Sequence, residues 1–372
     1  MRFFKRTLLA TTFLITSTNL SHADIKVVAS IKPIHSLVSA VAQGIVEPTL
    51  LVKGAGSPHT YSLKPSQAKE LQQADIVFWM GHDLEAFLEN SIDNIAMNSI
   101  VVPLMESKEL AKLNFREGGA FEDHGHDDHD KHDDHDDHGN DKHDDHDEHG
   151  NDKHDDHDEH GNDKHDDHDE HDDHGNNKHD DHDEHDDHGN DKHDDHDDHG
   201  ADPHVWLDPI NAIVLVEEIK KALISADPKN KPTYEANAKS TIYNLNELIE
   251  EIDAELKPVK GRGYIVFHDA YQYFENRFGV SAIGSITVSP EVLPGAERIR
   301  ELQNKVKELD ATCVFSEPQF KPKLVTTVTE NTKAGTGVLD PLGASINDGP
   351  QLYFTLIRNM ASSLKKCLMQ AG

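Results

Sequence analysis

The sequence predicts an α/β protein of two lobes, each a parallel sheet flanked by helices, joined by one long helix and carrying a disordered His/Asp-rich insert in the first lobe. Three observations predict it. Short β-branched runs alternate with helical patterns in two separate sets, as parallel sheets with crossover helices require. Between the sets, Ile242, Leu245, Ile249, Ile252 and Leu256 recur at spacings of three and four, giving one apolar helical face bounded by Pro232 and Pro258. Finally, residues 124–199 are almost wholly His, Asp, Glu, Lys, Gly and Asn. Such a tract has nothing apolar to bury against the entropy of ordering the chain.

Taken in order, the chain opens with Arg2, Lys5 and Arg6 before an apolar run from Leu8 to Ile15, then turns polar and reaches Ser21-His22-Ala23. This pattern predicts a signal peptide over residues 1–23, a mature chain from Asp24 and a periplasmic location. The run is too short to span a bilayer, and no later stretch of about 18 apolar residues follows. The first set of strands is expected at residues 25–30, 49–52, 74–80 and 100–103. The second is expected at 263–268, 280–286, 312–316 and 337–339. The domains that follow are an N-terminal lobe over 24–232 with the insert at 119–200 inside it, a linking helix over 233–258, and a C-terminal lobe over 259–372. Cys313 lies in a strand-like run and Cys367 in the last helical stretch; an even pair in an oxidising compartment predicts a structural disulfide.

The insert holds 23 of the 29 histidines. They are His124, His126, His129, His132, His135 and His138; then His143, His146, His149, His154, His157 and His160 in two copies of one eleven-residue unit; then His165, His168, His171, His174, His179, His182, His185 and His188 in variants lengthened by Asp-Asp-His; then His193, His196 and His199 in a close relative of the unit. No unit has a hydrophobic face to stack, so the repeat is a flexible expansion and not a solenoid. Imidazole and carboxylate are the groups that borderline divalent cations prefer, and a plain acidic spacer has no use for a histidine at nearly every third position. At four ligands per ion the tract has room for roughly six zinc ions. Ordering on binding makes each site weak, so the tract reads as a low-affinity zinc sponge.

The insert also dominates the bulk numbers. Residues 122–198 carry 37 acidic side chains against 6 lysines, so −31 of the net −34 resides there and everything else amounts to −3. Outside the insert the chain is about 44% apolar, an ordinary globular composition. The acidity argues against nucleic-acid binding. In the repeats a glutamate always follows Asp, so no His-Glu-x-x-His metalloprotease motif exists and an enzyme is not indicated. No Gly-x-x-x-x-Gly-Lys-Ser/Thr loop is present either, so the chain is not a transport ATPase.

Three of the remaining histidines stand where a strand or turn delivers its end to a loop, the usual place for ligands in open α/β sheets. They are His59 in Pro58-His59-Thr60-Tyr61-Ser62-Leu63-Lys64-Pro65, His204 in His204-Val205-Trp206-Leu207-Asp208-Pro209, and His268 in Phe267-His268-Asp269-Ala270-Tyr271. Three imidazoles and one oxygen form a natural zinc shell. His35 is expected to line a pocket or make a helix-end bond, and His82 to sit in a surface loop. Glu317, Tyr61 and Asp269 are candidates for orienting the imidazoles.

These motifs, together with Ser30-Ile31-Lys32-Pro33-Ile34-His35-Ser36, Ser316-Glu317-Pro318-Gln319 and Leu339-Asp340-Pro341-Leu342-Gly343, resemble the cluster A-I solute-binding proteins of the zinc (ZnuA) type. Those are the periplasmic component of the high-affinity zinc ABC uptake system. The resemblance covers essentially the whole mature chain, and the internal His/Asp insert is itself typical of zinc-type members. It implies Zn2+ as the transported ligand, bound by His59, His204 and His268, with Asp340 near or on the metal. It further implies a monomer that delivers zinc to a membrane permease with its cytoplasmic ATPase. The third ligand position is a carboxylate in similar manganese-binding members and is His268 here; a nitrogen-rich shell suits zinc. Some zinc members place an acid directly before the first histidine, where this chain has Pro58, leaving the fourth ligand between Asp340 and water.

Overall fold

The computed structural model describes residues 25–116, 121, 200–287, 295–308, 313–320 and 323–370. The expected signal peptide and all 23 histidines of the insert lie outside the described residues. Within them, eight strands form two four-stranded sheets, and every pairing is parallel. The first sheet runs in the order β2-β1-β3-β4, with β1 (Val27–Ala29), β2 (Thr49–Leu50), β3 (Ile76–Trp79) and β4 (Ile100–Pro103). The second runs β6-β5-β7-β8, with β5 (Tyr264–His268), β6 (Ala282–Thr287), β7 (Cys313–Ser316) and β8 (Gly335–Val338). The two orders are one pattern used twice: the first strand of each set lies inside, the second pairs on one side, and the rest follow on the other. Strand order therefore reverses beside β1 and beside β5, which opens a crevice at the carboxyl ends of those strands.

β3 and β5 are buried along their whole length, as the continuous apolar runs of a covered parallel sheet should be. β8 begins two residues earlier than the sequence suggested, because Gly335 and Gly337 pair with Cys313 and Phe315 although they carry no strand signal. Gly337 has a packing reason to be glycine: a Cβ there would meet Cε1 of Phe315 at 2.5 Å.

The helices are α1 (Lys32–Val41), α2 (Pro65–Gln72), α3 (His82–Ile95), α4 (Pro209–Ala226), α5 (Lys231–Leu256), α6 (Gln272–Phe278), α7 (Ala296–Glu308), α8 (Lys323–Thr329) and α9 (Leu352–Gln370). The long helix starts at Lys231, so Pro232 occupies its first turn, where a missing N–H costs nothing. Its buried stripe runs through Tyr234, Ala238, Thr241, Leu245, Leu248, Ile252 and Leu256, with Ile242 and Ile249 only partly buried at its margin. α4 and α9 both pack along this helix, which places the stripe between them and turns it slightly from the face expected from Ile242 and Ile249.

The principal core is continuous from one lobe to the other. It unites Ile34 and Leu37 of α1, Leu215 and Ile219 of α4, Leu245 and Ile252 of α5 and Ile357 and Met360 of α9 with residues of both sheets. Two smaller clusters, around Leu71, Val77 and Trp79 and around Ile265, Phe267 and Val314, belong to the individual sheets. Cys313 and Cys367 form a disulfide, Cα–Cα 6.2 Å, that ties β7 to α9. His82 is not in a loop: it is the first residue of α3, exposed and 2.8 Å from Glu89. Among the described residues no helix is long and apolar enough to cross a membrane.

Candidate metal centre

The three loop histidines meet at the crevice. His59 lies on the turn between β2 and α2, His204 immediately precedes the 3-10 turn Val205–Leu207 that leads into α4, and His268 is the last residue of β5. Their ring centroids are 5.6 Å (His59–His204), 5.9 Å (His59–His268) and 5.4 Å (His204–His268) apart. One nitrogen from each ring lies within 4.8 Å of the other two, the only such group of three ligating side chains among the described residues. His204 and His268 are 4% exposed. Pro58, Trp206, Glu317, Phe320 and Leu342 help to close a cavity of about 10 Å³ around them, the size of one water or one ion.

Each of two imidazoles is held by a buried carboxylate. Nδ1 of His268 lies 2.7 Å from Oε1 of Glu317, and Nδ1 of His204 lies 2.7 Å from Oδ1 of Asp202. Oδ1 of Asp202 also accepts the backbone N–H of His204 at 3.0 Å. A carboxylate on Nδ1 places the proton there and leaves the Nε2 lone pair directed away from it, as in carboxylate–histidine–metal arrangements. Nε2 of His268 is buried without a hydrogen-bond partner among the described residues, which fits an atom whose partner is a cation. Burial opposes a charge on His268, but the Glu317 charge and hydrogen bond outweigh it and hold this imidazole above its ordinary pKa. His59 has no such support. Burial, followed by the neighbouring His204 and His268, pushes its pKa down to about 2, so it stays neutral with a lone pair to offer.

The other expected residues are placed as follows. Asp340 does not join the three-imidazole group. Its Oδ1 accepts from the backbone N–H groups of Leu342 and Gly343 and from Gln319, and its Oδ2 from the N–H of Ala344 at 2.6 Å, so it organises the turn that follows β8. Tyr61 meets Gln67 and the carbonyl of Leu51, not an imidazole. Asp269 is held by Arg116 across the lobes. His35 lines a pocket, as expected, but its Nε2 bonds the carbonyl of Pro48 before β2 at 2.9 Å and not a helix end. Asp202 was missed by sequence reasoning. The Asp-Pro-His run was the available signal, since an aspartate two residues before a histidine readily turns back on it.

The sequence profile of zinc-uptake complex component A, periplasmic, matches residues 27–367. The high-affinity zinc uptake system protein ZnuA of Brucella abortus (strain 2308) is 52% identical over 342 residues, covering 92% of this chain and 91% of its own length. The protein of the same name from Yersinia pestis is 31% identical over 377 residues, covering 99% and 98%. A solved zinc-bound deletion mutant of ZnuA shares the fold at TM-score 0.63 and 21% identity, covering 92% of this chain and 96% of that one. With these relatives spanning nearly its full length, the chain belongs to the ZnuA family, zinc-uptake complex component A.

Proposed function

We propose that this chain is a periplasmic carrier that captures Zn2+ between its lobes and delivers it to the permease of an ABC importer, without catalysing a reaction. The observation that carries the proposal is the convergence of three imidazole nitrogens, two from buried rings and one from the partly buried His59, within 4.8 Å of one another. His59 and His204 come from the first lobe and His268 from the second, so one ion bridges both. The ligands the chain supplies are all nitrogen, which favours zinc over manganese. Asp202 and Glu317 balance the two charges of the ion, so the buried centre is close to neutral when loaded. The fourth position falls to water, because Pro58 offers no ligand and Asp340 is engaged in its turn. The core that runs unbroken between the lobes restricts metal-linked motion to small tilts, which the permease reads. The insert gathers zinc weakly near the point where the chain returns to His204.

A zinc titration with manganese as competitor, on the mature chain lacking residues 119–200, tests this reading. One tight, zinc-selective site is expected, and it should vanish in His204→Ala. Loss of tight binding on removing the insert would overturn the proposal and move the function into the repeats.

A further inference from the structure

The segment that leads into the insert and the segment that returns from it meet beside the metal centre, and a residue of the other lobe holds both. Asn114 and Ala201 form an antiparallel bridge, and the N–H of Asp202 donates to the carbonyl of Leu113 at 2.8 Å. From α6, the hydroxyl of Tyr273 accepts the N–H of Leu113 at 2.9 Å and donates to the carbonyl of Asp202 at 2.8 Å. Gln272, next to it, donates to the carbonyl of Asn114 at 2.9 Å and reaches Oδ2 of Asp202 at 3.4 Å. Tyr273 and Asp202 are 2% and 1% exposed, so water does not compete for these bonds.

Every hydrogen bond named here converges on Asp202 or on the strand paired with it, and Asp202 is the residue that orients His204. The backbone of Asp202 is fixed through its N–H and its carbonyl, and its carboxylate then grips the imidazole at 2.7 Å. Two more residues tie the same region to its surroundings. Arg116, covered by the ring of Phe121 at 4.0 Å, forks onto Asp269 and Glu275 of the second lobe. Asn211 of α4 exchanges two hydrogen bonds with the backbone of Ala111.

We propose that Tyr273 is a positioning residue for the metal centre: acting from the second lobe through Asp202, its hydroxyl sets the orientation of His204 in the first. The inference rests on His204 being a zinc ligand. The geometry makes the junction of the insert part of the binding site, because only three residues separate Gly200 from the ligand. It also lets the second lobe hold a ligand of the first without touching the ion. When the lobes tilt apart, the Tyr273 bond is strained together with the metal shell, so release of the ion and release of His204 are one event.

The test uses the full mature chain loaded with one equivalent of metal, in citrate strong enough to empty the weak sites. Tyr273→Phe removes one hydroxyl and keeps the ring; Gln272→Leu probes the same junction at a partly exposed residue. The expected result is zinc release about tenfold faster in Tyr273→Phe, the usual scale for residues that orient a ligand. The visible spectrum of the Co2+ form should shift as well, which the lower apo melting expected from two buried groups left unpaired would not by itself produce. Gln272→Leu should move both readouts in the same direction by less. Parental release rates and Co2+ spectra in both variants would overturn the inference. His204→Ala is the reference: tight binding that survives it would instead sink the ligand assignment itself.

Discussion

Oε1 of Glu317 lies 2.7 Å from Nδ1 of His268, although 49 residues separate them in the chain. The pair joins the carboxyl end of β5 to the loop after β7, two neighbouring strands of the second sheet. A parallel sheet brings both loops to the same edge, which puts the two side chains within reach of each other. The charge of Glu317 makes His268 a more basic ligand, and the bond fixes which nitrogen is free.

The first prediction concerns that pair. Glu317→Gln keeps the shape and removes the charge, so zinc affinity should fall about 10- to 100-fold. Competition against a chelator of known affinity measures it. Unchanged affinity would mean that Glu317 serves only the packing of β5 against β7.

His59 gives a prediction of opposite sign to the usual basic group. Its folded pKa of about 2 lies below the unfolded value of 6.5, so below pH 6.5 the unfolded chain takes up a proton that the folded chain refuses. Stability of the metal-free protein therefore drains away as pH falls through 6.5 toward 2. At pH 5 the penalty is about 2 kcal/mol. His268 acts the other way: its raised pKa adds stability that is present below pH 6.5 and lost as pH rises through its folded value. Denaturant unfolding of apo His59→Asn should show it gaining on the parent at pH 5 relative to pH 7.5; an equal difference at both values would contradict the burial argument.

The insert should titrate as well. Protonating its 23 histidines takes residues 122–199 from −31 to −8 and removes the imidazole lone pairs together. Zinc held in excess of the first equivalent should fall steeply near pH 6, as read by equilibrium dialysis. A flat curve between pH 7.5 and 5.5 would count against a histidine sponge.

The Cys313–Cys367 bridge closes a loop with a sequence separation of 54. The chain-entropy model gives about 4 kcal/mol for a loop of that length. Cys313→Ser/Cys367→Ser should melt well below the parent yet keep its tight zinc affinity, because β7 and α9 meet away from the imidazoles. Loss of affinity in a variant that remains folded would show that the bridge also holds Glu317 in place.

Much of the fold could be read from local pattern. β5 announces itself as an apolar run that ends in His268, and α5 as a long stripe between prolines. What escaped was whatever depends on neighbours. The buried face of α5 turned because α4 and α9 press on it, and β8 gained two residues through pairing with β7. The three histidines were legible because each stands where a strand or turn delivers the chain to a loop. The carboxylates were less so: Glu317 was one of three equal candidates, and Asp202 was hidden as the rim of a tract full of aspartates. Asp340 resembled a ligand by its motif, whereas its oxygens close a turn of the backbone.

Trp206 sits fully buried, its ring centroid 5.2 Å from that of His204 and its Nε1 bonded to the carbonyl of Pro341 at 2.9 Å. The chain has two tryptophans, and the other, Trp79, packs in the separate cluster of the first sheet. One indole thus rests against an imidazole of the three-histidine group, while its anchor is on the opposite lobe. Ultraviolet emission from this unlabelled molecule is a built-in gauge of its cleft: Trp79 supplies a steady background, and Trp206 registers both an ion arriving at His204 and any shift of the loop at Pro341.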